Sequence, residues 1–140
     1  MKFWDASALI GLFVKQGSSP KARNLATKDP AITAWWGTKV ECASALARLE
    51  REGILVASEA ELAFSRIQEI SEQWIEVPAS SRLREIAIRM LRVHVLRAAD
   101  AMQLAAAFTA AENNPSTLEF VCFDKRLASA AAKEGFRVLD

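Results

Sequence analysis

Short apolar runs alternate with longer stretches of helical periodicity along the whole chain, and that alternation leaves few folds open. Lys2-Phe3-Trp4-Asp5 reads as a strand, followed by a helical pattern from Ala6 to Lys15 with Leu9, Ile10 and Phe13 on one face. Gly17-Ser18-Ser19-Pro20 is a break, with Ser19 placed to cap a helix that starts at Pro20. A second strand spans Ala31 to Trp35. Behind Gly37 comes a helix carrying Val40, Ala43, Leu46, Ala47 and Leu49, and it stops near Gly53. Ser58 to Glu72 reads as another helix, with Ser58 and Glu61 in capping-box spacing. Trp74 to Val77 is a strand closed by Pro78, and Ser81 to Val95 and Ala98 to Asn113 are helices. Leu118 to Phe123 is apolar without alternation, as in a strand covered on both faces. A helix from Asp124 to Lys133 and a strand from Phe136 to Leu139 close the chain. Strands separated by helices require right-handed crossovers, so the predicted class is α/β: a three-layer α/β/α sandwich with a mostly parallel central sheet.

Composition narrows the function. The chain has 140 residues, enough for one domain over 1–140, with 51% hydrophobic residues and no repeat or Gly/Ser linker. Eighteen Lys and Arg against 17 Asp and Glu give a net charge of +1, so a polyanion has to be held by local patches or by a metal. One His and two cysteines, Cys42 and Cys122, argue against the usual zinc sites. The cysteines sit in apolar surroundings and read as free thiols of a reducing compartment. Asp5 interrupts the first apolar stretch, which does not read as a signal peptide, and no run approaches the ~20 residues of a bilayer crossing. A cytoplasmic protein is the expectation.

Four carboxylates then stand out. In an open parallel sheet, ligands bind beyond the carboxyl ends of the strands. Asp5 and Asp124 close two of the predicted strands. Glu41 and Asp100 fall in the first turns of two helices, so all four can face one edge. Each also has a plain structural reading. Asp5 and Asp124 are placed as helix N-caps, Asp100 complements a helix dipole, and Glu41 can be a solvated surface acid. Together they repel, and such a cluster must take up protons or a cation. Oxygen donors without His or Cys favour Mg²⁺ or Mn²⁺, which share coordination with phosphate and activate water. Ser7, two residues after Asp5, is placed to hydrogen-bond into the same pocket, or to cap the first helical turn.

These residues resemble the PIN-domain ribonucleases, and more narrowly the VapC-type toxins of toxin–antitoxin pairs. The resemblance rests on Phe3-Trp4-Asp5-Ala6-Ser7-Ala8-Leu9, on Thr38-Lys39-Val40-Glu41, on Arg97 to Ala105, and on Phe120 to Leu127. The closing Ala131…Gly135-Phe136-Arg137-Val138-Leu139 also fits. It implies a PIN-like fold in which Asp5, Glu41, Asp100 and Asp124 hold Mg²⁺ or Mn²⁺, with Ser7 in support. It also implies cleavage of RNA (tRNA, rRNA or mRNA), a homodimer, and silencing by a cognate antitoxin. Trp4 stands where a smaller aliphatic is commoner, and Trp35-Trp36-Gly37 is bulky at the mouth of the site.

Around this centre, Arg82 to Arg97 holds five arginines, His94 and only Glu85 as an acid, either a phosphate-tracking stripe or a solvated helix face. Arg48, on the helix face of Glu41, is a candidate for substrate phosphate or for pairing with that acid, and Arg97 is a second candidate for phosphate. Trp35 and Trp36, Trp36 foremost, are candidates to stack on bases or to receive antitoxin side chains, with one of the pair expected in the core. The Glu-rich stretch from Glu50 to Glu76 reads as a face turned away from RNA. Two rival functions remain: another Mg-dependent phosphatase or phosphotransferase with an aspartate nucleophile, and a non-catalytic interaction module of the same fold.

Overall fold

The computed structural model describes all 140 residues. The strands are β1 (Lys2–Trp4), β2 (Ile32–Trp35), β3 (Ile75–Val77), β4 (Glu119–Val121) and β5 (Arg137–Leu139). The helices are α1 (Ala6–Phe13), α2 (Ser19–Lys28), α3 (Thr38–Arg51), α4 (Ala57–Ser71), α5 (Ser81–Val93), α6 (Ala98–Ala110) and α7 (Lys125–Lys133). All five strands pair in parallel in the order β3-β2-β1-β4-β5. The sheet expected to be mostly parallel is therefore wholly so.

Side-chain alternation on the strands builds the two outer layers. Phe3, Trp35 and Phe120 point to one face, where they pack with Leu83, Met90, Leu104 and Leu127 of α5, α6 and α7. Trp4, Ala34 and Val121 point to the other, against Leu9, Phe13, Leu46 and Ile67 of α1, α3 and α4. Phe120 and Val121 are fully buried on opposite faces, as the unalternating run predicts. Trp4 fits this core sterically, but its indole Nε1 is buried without a hydrogen-bond partner, a cost of about 1–3 kcal/mol. The alanine-rich α6 packs close to the sheet through Ala101, Ala105, Ala106 and Ala107, all fully buried. No helix is long and apolar enough to cross a membrane.

Two helix starts differ from the sequence reading. Ser19 does not cap α2. It lies inside the helix, where its hydroxyl donates to Val14 O at 2.6 Å and accepts from Gln16 N at 2.8 Å, pinning the α1–α2 turn. At α4 the reaching-back glutamate is Glu59, on Val56 N at 3.1 Å, so the start lies before the Ser58–Glu61 pair. Val56 has no polar side chain, so only half of a capping box forms there.

The strand order places the site. From β1 the chain moves one way to β2 and β3, then returns to the other side of β1 to add β4 and β5. The segments leaving β1 and β4 therefore turn to opposite faces, and a crevice opens between their carboxyl ends. Asp5 is the first residue after β1, and Asp124, three residues past the end of β4, is the last before α7.

Candidate active site

Asp5 is 3% exposed and caps α1, its Oδ2 accepting from Ser7 N at 3.0 Å. The Ser7 hydroxyl donates to the same oxygen and accepts from the backbone N–H groups of Phe123 (3.0 Å) and Asp124 (3.2 Å). Ser7 thus staples the exit of β1 to the exit of β4 across the crevice. The Cys122 thiol lies 3.7 Å from Asp5 Oδ2. These contacts all fall on Oδ2, which leaves Oδ1 as the atom free to ligate. Asp124 caps α7 in the same way, its Oδ1 accepting from Leu127 N at 2.8 Å. The capping and site readings are thus compatible: one oxygen holds the helix start while the other remains available.

Glu41 is positioned from α6. Gln103, fully buried, donates from Nε2 to Glu41 Oε1 at 3.1 Å and to Thr38 Oγ1 at 3.0 Å. Gln103 stands three residues after Asp100 and Thr38 three before Glu41, so each shares a helix face with its acid. Sequence reasoning passed over both. Their only signal was this i,i+3 spacing within the two motif blocks.

Electrostatics ties the four acids into one field. Burial, then the neighbouring Asp5 and Asp100 charges, pushes the Glu41 carboxyl up to about 7. Burial raises Asp5 as well, with Asp100 adding to the effect. Burial and Asp124 raise Asp100, while Arg97 and Arg126 pull it back. Burial pushes both thiols, Cys42 and Cys122, far up, so neither is a thiolate ligand.

The donor set fits a hard divalent cation: carboxylate oxygens, a hydroxyl, protonated thiols and no imidazole. No three acidic, His or Cys side chains already meet as a closed metal cage. Mg²⁺ does not need one, because one or two carboxylates with waters and a phosphate suffice. The raised proton affinities are what a cluster short of positive charge should show.

The remaining candidates are more dispersed. Arg97, the residue before α6, is exposed and lines a cavity of about 590 Å³ with Asp100, Phe123, Asp124, Lys125 and Arg126. Trp36 is 59% exposed, edge-on to the buried Trp35 with ring centroids 6.0 Å apart, so one of the pair is core. It borders a separate depression with Ser80, Arg84 and Met102. Arg48 is exposed and makes no ion pair, so of its two sequence readings the pairing with Glu41 does not form. The arginine-rich stretch is partly neutralised: Glu134 accepts from Arg89 at 2.8 Å and pairs with His94 at 2.6 Å.

No protein-family model and no curated protein matches the chain. Solved structures do. A toxin–antitoxin complex from Klebsiella pneumoniae aligns at TM-score 0.68 and 16% identity, covering 100% of this chain and 97% of the other. VapC20 of Mycobacterium tuberculosis, described as a sarcin–ricin loop cleaving toxin, aligns at 0.69 and 20%, covering 97% and 96%. FitAcB from Neisseria gonorrhoeae aligns at 0.67 and 13%, covering 100% and 97%. At such identities the likeness is one of fold, and the chain has the PIN-like α/β/α fold over nearly the full length of each.

Proposed function

We propose that this chain is a metal-dependent endoribonuclease acting as the toxin of a toxin–antitoxin pair. The observation that carries the reading is the shared field of Asp5, Glu41, Asp100 and Asp124 at the crevice between β1 and β4. The fold likeness to an RNA-cleaving toxin and to a toxin–antitoxin complex supports it. In this reading the four acids hold Mg²⁺ or Mn²⁺. When bound, such an ion neutralises charge on a phosphodiester and lowers the pKa of water.

The chain's own residues do the positioning. Ser7 fixes Asp5 and the β4 exit in one orientation, and Gln103 does the same for Glu41. Arg97 binds a phosphate beside Asp100, and Arg48 offers a further guanidinium on α3. Trp36, held edge-on by Trp35, presents a face for a base. The partners are RNA, a cognate antitoxin and a second copy of the chain, in the cytoplasm. Ile88 and Leu91 on α5 are 54% and 41% exposed and offer an apolar face for that copy.

The test is incubation of purified, antitoxin-free protein with total tRNA and rRNA, with Mn²⁺ or Mg²⁺ against EDTA. Discrete fragments are expected only with the ion. Intact RNA under every condition, or cutting that EDTA leaves untouched, would overturn the reading.

A second outcome concerns Gln103. Gln103→Leu preserves volume but removes the donor from Glu41 and strands the Thr38 hydroxyl. Losing such a support for a ligand should cut the rate roughly 10–100-fold and stability by about 1–3 kcal/mol. Wild-type cleavage by a folded Gln103→Leu protein would remove Gln103 from the site.

A further inference from the structure

A second cavity adjoins the one at the acids. It measures about 490 Å³ and is walled by Val93, His94 and Val95 on one side and by Lys125, Arg126, Ser129 and Lys133 of α7 on the other. Lys125 and Arg126 also line the cavity that holds Asp100 and Asp124, so the two are neighbours that share a wall at the start of α7, and together they outline a trough. It starts at the acids and runs down α7.

The charge along this trough is one-sided. Arg126, Ser129 and Lys133 recur at helical spacing on one face of α7, and the seven residue-to-residue steps from Arg126 to Lys133 rise ~10 Å. Arg97, Lys125, Arg126 and Lys133 are exposed, and none makes a salt bridge. The acids at the head of the trough are Asp100 and Asp124. The one acid at its foot, Glu134, is already taken by Arg89 and His94. That pairing removes a carboxylate that would otherwise repel a polyanion and holds the Val93–Val95 wall against the end of α7. In a chain of net charge +1, four free cations along one trough are a segregated patch rather than a general field.

The geometry points to a backbone subsite for RNA. One phosphate next to the scissile position sits at Arg126 and Lys125, and the following phosphate sits at Lys133, with the Ser129 hydroxyl between them. The inference rests on the ribonuclease reading and adds the path of the strand and the residues that hold it. Single-strand binding of this kind is electrostatic and independent of sequence, so the trough sets affinity and register while selectivity is read elsewhere.

The experiment is fluorescence anisotropy with a labelled oligouridylate, titrated over a range of salt. The protein is the full chain carrying Asp5→Asn, so that the probe stays intact. It is compared with the same protein carrying Arg126→Ala and Lys133→Ala, and with a Lys28→Ala control at the last residue of α2, beside the Asp29 that pairs with Lys2 at the start of β1. Removing two phosphate contacts should reduce the slope of log affinity against log salt by roughly 1.4, at ~0.7 per single-strand contact, with Lys28→Ala unchanged. Equal slopes for parent and double variant would overturn the subsite, as would a parent that fails to bind while the wild type still cuts RNA. Protein that neither binds nor cuts RNA would instead sink the ribonuclease reading itself. Circular dichroism of each variant guards against misfolding, and both substituted side chains are solvent-exposed.

Discussion

Asp5→Asn is expected to lower RNA cleavage at least ~100-fold, the low end of what removing one preorganised charged group from a reacting centre costs, while the melting temperature at neutral pH holds or rises. The two halves of that expectation have separate causes. Asn caps a helix as well as Asp does, so an amide oxygen can take over the hydrogen bond that Oδ2 accepts from Ser7 N. What disappears is a carboxylate that burial and Asp100 both disfavour in its charged form, so the folded state loses a repulsion rather than a support. Asp5→Ala is the poorer probe. It deletes the cap, at a cost of about 1 kcal/mol, and leaves the Ser7 hydroxyl without its acceptor. Cleavage at the wild-type rate by Asp5→Asn would show that no charge is needed there. A cooperative fold lost in Asp5→Asn would mean that the residue is mainly a structural cap.

The positions of these acids were legible in the sequence because strand ends and helix starts are. Short apolar runs buried on both faces, Phe3-Trp4 in β1 and Phe120-Val121 in β4, with helices between strands, dictate a parallel sheet, and a parallel sheet gathers the residues that follow its strands on one edge. Two acids directly after apolar runs are thus placed by topology alone. Whether they serve as caps, as site residues or as both could not be resolved in advance, since both uses ask for an acid at the same place.

What stayed hidden are single polar contacts between residues far apart in the chain. Gln103 reaches Thr38 and Glu41 across 65 and 62 positions, and periodicity carries no mark of such a bond. The same holds for Glu134, which takes up Arg89 and His94 and so changes what the arginine-rich stretch can do. Ser19 and Ser58 failed as caps for a smaller reason. Where several serines lie near a helix start, the entry path of the chain decides which hydroxyl or carboxylate closes the turn, and that path is set by packing.

Stability without a divalent ion should fall as pH rises from about 4.5 to about 7, and saturating Mn²⁺ should reverse the trend. Glu41 has an ordinary value of 4.5 and is pushed up to about 7 in the folded protein. Between those values the folded state binds more protons than the unfolded one, so the stability slope against pH is negative. The stabilisation is complete below the unfolded value and is lost as pH passes through the folded one. Because Glu41 is partly solvated, screening trims the effect to roughly 1–2 kcal/mol. Glu41→Gln should flatten the slope. A bound cation acts in the opposite sense, since its carboxylate ligands must be deprotonated and its affinity grows with pH. At a concentration ~100 times its dissociation constant it adds about 2.7 kcal/mol, of order 10 °C in melting temperature for a chain of this size. Melting curves with EDTA or Mn²⁺ at acid, neutral and mildly alkaline pH separate these contributions. A Mn²⁺ shift that is absent, or that is as large at acid pH as above neutrality, would mean that these carboxylates do not hold the ion.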